Sequence, residues 1–133
     1  GVVEELVRNS DIICTTTPST TPVLPDDKEL LRGKCIIAIG SYMPEMREIP
    51  DAVLDLVDNV YIELPYACEE SGDLSQPLAS GKLTKDRVKL MHEYLVSGEK
   101  EIKEGQTTYF KSVGMGLFDV CIAQKLYEVA KEK

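Results

Sequence analysis

Residues 36–50 read IIAIGSYMPEMREIP. A continuous apolar run, opened by Cys35, stops at Gly40, and the next ten residues hold Pro44 and Pro50, Glu45 and Glu48, Arg47 and Tyr42. An unbroken Ile-rich run is the habit of a strand buried on both faces, as in a parallel sheet. In an open parallel sheet, ligands bind beyond the carboxyl ends of the strands. The chemistry crowded behind Gly40 therefore lies where a ligand would be met.

The neighbouring sequence repeats the same grammar. DIICT (11–15), KCIIAI (34–39) and NVYIEL (59–64) are short runs rich in Ile and Val, each far enough from the next for a crossover. Between the second and third, PDAVLDLV (50–57) carries proline at a helix start, then Val53, Leu54, Leu56 and Val57 on one broad face. PYACEESGDLSQPLASG (65–81) reads as short helical pieces broken by Gly72, Pro77 and Gly81. TKDRVKLMHEYLV (84–96) reads as one helix with Thr84 as N-cap, Gly98 as its stop and His92 on its flank. TTYFKS (107–112) is a further strand, and a final helix is expected from Gly114 to Lys133, with Leu117, Val120, Cys121, Ala123, Leu126, Tyr127 and Ala130 at helical spacing. The fold class is α/β, with parallel strands expected near 11–15, 35–39, 59–63 and 107–111.

The chain has 133 residues, one domain's worth, and a formal net charge of −8, which argues against nucleic acid as a partner. No apolar run reaches the ~18 residues of a membrane span, and no basic region followed by an apolar one marks a signal peptide. Cys14, Cys35, Cys68 and Cys121 are widely spaced without a CxxC pair. They read as buried free thiols in a reducing cytoplasm. With His92 the only histidine, no metal site is expected.

Three stretches meet the strand-end condition. CTTTPSTTP (14–22) supplies hydroxyls and open amides able to line a sugar or a nicotinamide, although Ser, Thr and Pro also simply make loops. In AIGSYMPEMRE (38–48), Gly40 permits close backbone approach to a ligand or a positive φ, while Arg47 and Glu48 can order the loop by pairing. In YFKSVGMG (109–116), Ser112 ends a strand, and Gly114 and Gly116 open a helix whose amides can face an anion or a polar ring. Together the three describe one rim.

SDIICTTTPSTTPVL, AIGSYMPEMREIP, ESGDL (70–74) and TTYFKSVGMGLFDVCIAQKLYE, in that order and at this spacing, resemble the ornithine cyclodeaminase/mu-crystallin family of NAD(P)-binding proteins from about Val2 to the C-terminus. The resemblance implies the C-terminal half of a Rossmann-like parallel sheet, with flanking helices and a long C-terminal helix. Residues 1–113 would form a partial NAD(P)-binding domain, and 114–133 a helix returning to a dimerisation domain outside the chain. No GxGxxG or GxGxxA occurs in the chain. The glycine-rich turn, the residue that reads the cofactor ribose and the basic residues that hold the substrate carboxylate are expected upstream. Gly1 then reads as a mid-helix start, and residues 1–133 alone are expected to be inactive.

The resemblance also implies site roles. Thr17 and Pro18 match residues beside the nicotinamide half of NAD or NADP. Ile39 and Gly40 match the Val-Gly that lies against the nicotinamide. Ser112 matches a serine close to the ring, with Val113 and Gly114 shaping the same turn. Glu70 matches a residue bordering the ligand pocket. Tyr42 stands where cyclodeaminases carry an aspartate thought to act in acid/base chemistry, and Lys111 stands for the aspartate of their FDSVG. A phenol with a pKa near ~10 is no carboxylate base at neutral pH. Both departures favour reduction of small cyclic imino acids of the ketimine or pyrroline-carboxylate type. The alternatives are an ornithine cyclodeaminase and a non-catalytic binder of NADP and a small ligand. Small amino or imino acids are the expected ligands, a cytoplasmic homodimer the expected assembly, with neither nucleic acid nor membrane as partner; the catalytic residues stay unassigned.

Overall fold

The computed structural model describes residues 1–97 and 102–132. Its centre is a five-stranded sheet of β1 (Ile12–Thr15), β2 (Cys35–Ala38), β3 (Val60–Ile62), β4 (Val88–Leu90) and β5 (Thr108–Lys111). The spatial order is β1-β2-β5-β3-β4 and every pairing is parallel. The last strand in sequence is thus the central one. The crossover through α3 (Asp51–Leu56) from β2 to β3 leaves one position open, and β5 fills it. All five carboxyl ends lie along one edge of the sheet, which is what gathers distant segments into a single rim.

Burial follows strand position. Val60, Tyr61 and Ile62 are all buried, and β2 buries Ile36 and Ala38. At the edge, β1 buries only Thr15, and Ile12 is 65% exposed. The double-sided burial read from DIICT therefore fails for β1, an edge strand whose outer side is left open by the described residues. Cys14 is exposed for that reason, Cys121 is exposed on the last helix, and Cys35 and Cys68 are half-buried. All four thiols are free, and none is fully buried. The core joins Val7 of α1 (Val2–Arg8), Leu31 of α2 (Lys28–Leu31), Val53 of α3 and Leu74 of α5 (Gly72–Ser80) to Ile36, Val60, Ile62 and Tyr109 of the sheet.

Two helical readings are corrected. Residues 84–96 are not one helix: a 3-10 turn at Lys85–Arg87 leads into β4, and only then does α6 (Met91–Ser97) begin. Arg87 explains the change. Its guanidinium donates to the carbonyls of Leu54 and Val57 at 2.7 Å each and of Asp58 at 3.1 Å, closing the C-terminus of α3 and setting Val88–Leu90 alongside β3. Apolar residues at helical spacing could not reveal a three-residue edge strand. Pro77 does not break α5, which continues to Ser80 and ends at Gly81 with φ of 79°. His92 is exposed on α6, as expected, whereas the stop at Gly98 lies outside the described residues. The last helix, α7, spans Gly116–Lys131 and buries no residue; the expected end at Lys133 also lies outside the described residues.

Ile36→Ala removes a fully buried side chain from β2 and is expected to cost ~2–5 kcal/mol in urea denaturation. Ile12→Ala, on the open side of β1, is expected to change stability by no more than about 0.5 kcal/mol. Equal losses would place Ile12 in a core and contradict the open edge.

Candidate functional site

Beyond β1 and β2 the chain forms two neighbouring loops, and one side chain joins them. Glu48 is fully buried. Its Oε1 accepts the Thr17 amide at 2.5 Å; its Oε2 accepts the Gly40 amide and the Thr15 hydroxyl at 2.8 and 2.9 Å. The Glu48 backbone is itself held. Asp73 of α5, also buried, accepts the Glu48 and Ile49 amides on one oxygen at 2.7 and 2.9 Å. Gly40 is required by this closeness: a Cβ there would overlap the backbone nitrogen and oxygen of Thr17. Its φ is not positive, so neither the left-handed conformation nor a ligand's approach is needed to explain it.

The outer part of the same loop leans on α5. A Cβ on Gly72 would overlap the Pro44 and Met46 carbonyls, and the Gly72 amide donates to the Met43 carbonyl at 3.0 Å. Ser41 and Ser71 share a hydroxyl hydrogen bond of 2.8 Å, and Gln76 donates to the Pro44 carbonyl at 2.9 Å. ESGDL is therefore the support of the Gly40 loop. Arg47 does not pair with Glu48 as anticipated; it binds Asp51 and the Ile49 carbonyl instead.

A second carboxylate performs the matching task beyond β3 and β5. Glu63 follows β3, and one of its oxygens accepts the Ser112 hydroxyl at 2.8 Å and the Val113 and Gly114 amides at 2.6 and 3.0 Å. Gly114 has φ of 88°, a conformation that favours glycine, and it closes this turn. Of the segment expected to face an anion, the Val113 and Gly114 amides are thus turned inward on Glu63, and the helix itself starts only at Gly116.

Under the rim, Tyr109 and Lys111 point to the same face of β5, two residues apart. Both are fully buried, and the Lys111 ammonium lies 3.6 Å from the second Asp73 oxygen. Neither the Tyr109 hydroxyl nor the Lys111 nitrogen makes a hydrogen bond among the described residues. Burial pushes the Asp73 carboxyl above its usual range, opposed by the Ile49 amide, the Lys111 charge and the Glu48 amide. Burial holds Lys111 below its usual range, opposed chiefly by Asp73 and Glu48. The Tyr109 phenol is pushed well up by burial and by the charges of Asp73 and Glu48, so it stays a neutral hydroxyl. The Asp73 contribution to stability is full below the ordinary carboxyl range and declines as pH rises through its raised value; that of Lys111 is full above the ordinary ammonium range and is lost as pH falls. The two dependences oppose each other.

The residues singled out in sequence fall as follows. Thr17, Gly40, Ser112, Val113 and Gly114 all belong to the two carboxylate-held clusters. Pro18 is exposed beside Thr17, and Ile39 is 37% exposed beside Gly40. Tyr42 is 56% exposed on the β2 loop, and Glu70 is exposed on α4 (Ala67–Glu70), two residues before Gly72. Glu63 and Asp73 were not singled out; a lone acid at a strand end or in a helical pattern gives no hint that amides will converge on it. No group of three or more potential metal ligands occurs among the described residues. None of the described helices is long and apolar enough to cross a membrane.

The profile of the ornithine cyclodeaminase/mu-crystallin family matches residues 1–133, and the chain belongs to that family. It is 37% identical over 132 residues to a Delta(1)-pyrroline-2-carboxylate reductase of Bacillus cereus, covering 97% of this chain and 40% of that protein. It is 33% identical over 126 residues to the ketimine reductase mu-crystallin of Rattus norvegicus, covering 95% and 38%. In structure it resembles the Thermococcus litoralis Delta(1)-pyrroline-2-carboxylate reductase solved with NADH and L-proline, with a TM-score of 0.80, 25% identity, and coverage of 97% of this chain and 40% of that one. The chain spans about 40% of the length of the curated relatives it matches.

Asp73→Asn keeps the oxygen that receives the Glu48 and Ile49 amides and removes the charge facing Lys111. It is expected to cost ~3–5 kcal/mol in urea denaturation, because a buried ammonium is left without its counter-charge. Adding Lys111→Met to that variant is expected to restore most of the loss. A double variant no more stable than the single one would show that the pair is not the source of the cost.

Proposed function

We propose that this chain forms the nicotinamide-side part of an NAD(P)H-dependent reductase of small cyclic imino acids. The observation that carries the reading is the commitment of Glu48. It is the one buried acid of the loop after β2, fully enclosed with both of its oxygens accepting protein donors, so it is not presented to a substrate amine. Glu45 is exposed, and by the family resemblance Tyr42 stands where cyclodeaminases would carry their aspartate. That loop lacks the poised carboxylate that deamination would use, which favours reduction over release of ammonia. The names of the relatives, a pyrroline-2-carboxylate reductase and a ketimine reductase, support the same choice.

The rim suits the nicotinamide half of a dinucleotide and not its pyrophosphate. Four amides that could have cradled a phosphate, those of Thr17, Gly40, Val113 and Gly114, donate to Glu48 and Glu63. A neutral, rigid edge with carboxylates beneath it accommodates an uncharged or cationic ring and disfavours anions. Thr17, Pro18, Ile39, Gly40, Ser112, Val113 and Gly114 would border the ring, and Tyr42 and Glu70 the substrate. When bound, the nicotinamide supplies the hydride; the chain's own residues hold the ring face and fix the loop that meets the imino acid. The phosphate contacts and the substrate-carboxylate contacts would come from the rest of the protein. The unburied α7, with Leu117, Phe118, Ile122 and Leu126 all exposed, supports its packing on a further domain of a homodimer. Four free thiols suit a cytoplasmic protein, and the net charge of −8 suits neither nucleic acid nor an anionic membrane surface.

The test is an assay of the protein at the length of its relatives. It is expected to oxidise NADH or NADPH in the presence of a cyclic imino acid and to release no ammonia from ornithine. Tyr42→Asp is expected to leave the dissociation constant of the dinucleotide within about twofold, since an exposed side chain on the loop carries no ring contact. Robust NAD-dependent ammonia release from ornithine by the unaltered protein would overturn the choice of reaction.

A further inference from the structure

The Glu63 cluster holds more hydrogen bonds than closing a turn requires. The Val113 and Gly114 amides already tie the chain after β5 to the Glu63 carboxylate, and the Ser112 hydroxyl donates to that same oxygen. For the turn this third donor is redundant; for the serine it is decisive. A hydroxyl has one proton and two acceptor lone pairs. The proton is given to Glu63 at 2.8 Å, and the Gly114 amide, which shares its one hydrogen between Glu63 at 3.0 Å and Ser112 at 3.1 Å, occupies one lone pair. What Ser112 retains is a single acceptor site.

We propose that Glu63 is a positioning residue that fixes Ser112 as an obligate acceptor, so that the rim selects a ring bearing a primary amide with its NH2 group turned to Ser112. The inference rests on the nicotinamide reading of the rim and deepens it, assigning the polarity of the carboxamide contact. The register explains why Glu63 holds this role. Ile62 pairs with Lys111, so the next residue of each strand, Glu63 and Ser112, meet at the sheet edge. Glu63 is 6% exposed, which keeps water from competing for the Ser112 proton. Without the carboxylate the hydroxyl would rotate freely and could donate to a carbonyl as readily as accept from an amide.

The experiment uses the protein at the length of its relatives and compares two reduced dinucleotides. One is the natural cofactor; the other is its 3-acetylpyridine analogue, in which a methyl group replaces the carboxamide NH2. Dissociation constants are read from the fluorescence of the reduced ring, and the quantity followed is their ratio. Ser112→Ala is expected to shrink the unaltered protein's preference for the carboxamide by about fivefold to tenfold, the worth of one hydrogen bond. Glu63→Ala is expected to shrink it similarly, because the freed hydroxyl can then serve the acetyl oxygen. Glu63→Gln is expected to keep the preference, since the converging donors hold the amide oxygen where the carboxylate oxygen lay. It also serves as the folded control if Glu63→Ala does not fold. A ratio unchanged in Ser112→Ala, or one that collapses in Glu63→Gln as fully as in Ser112→Ala, overturns the proposal while leaving the reductase reading intact. Failure of the unaltered protein to bind either dinucleotide overturns both.

Discussion

The Glu48 carboxylate lies under the point where the first two loops of the rim meet, and the arrangement of both follows from it. Two amides and a hydroxyl, on segments separated by more than twenty residues, donate to its two oxygens. Burying such a group is costly unless its acceptors are filled, and here the filling is what brings the loops together. The close approach in turn dictates glycine at position 40, where any side chain would strike the Thr17 backbone. Asp73 fixes the Glu48 backbone from α5, and Lys111 opposes the Asp73 charge from β5. Sheet, loop and supporting helix are thus joined through ionisable groups in a region otherwise closed to water.

This way of building a rim has a chemical consequence. Its amides are consumed by the protein's own carboxylates, so the surface left for a ligand is neutral, with acceptor groups favoured over donors. The Thr17, Gly40, Val113 and Gly114 amides are turned onto those carboxylates and so offer no anion site of the kind found at a helix start. A nicotinamide ring asks for little else: a flat neutral wall, one polar partner for its carboxamide, and freedom from competing water. Glu63, through one oxygen, joins the chain ends beyond β3 and β5 as Glu48, through two, joins those beyond β1 and β2, and the two clusters lie side by side in the strand order.

The parts of this architecture that rest on pattern were legible in the sequence. Continuous apolar runs identified β1, β2 and β3, TTYFKS was read as the strand that is β5, and the hydroxyl- and glycine-rich segments marked the rim. Chain-ordered motifs were enough to indicate the family. What escaped were features whose cause lies in three dimensions. β4 is three residues long and owes its place to Arg87, whose carbonyl partners are about thirty residues away in sequence. Gly40 looked like an opening for a ligand, and its neighbour proves to be another loop. Glu48 was visible, but as half of an ion pair with Arg47 that does not form, and Glu63 and Asp73 gave no signal at all. A carboxylate is charged and polar in any sequence window. Only the converging amides distinguish a buried structural acceptor from a solvated surface acid.

Native-state hydrogen exchange of the Thr17 and Gly40 amides in Glu48→Gln tests the central claim most directly. The substitution keeps the shape of the side chain but leaves one acceptor oxygen where two are used. At least one of the two amides is expected to exchange about tenfold faster than in the unaltered protein, the effect of losing one buried hydrogen bond, with the Ile36 amide of β2 unchanged. Thr17 and Gly40 amides that both keep their original protection would contradict the account, because the two loops would then be held by something other than the Glu48 carboxylate.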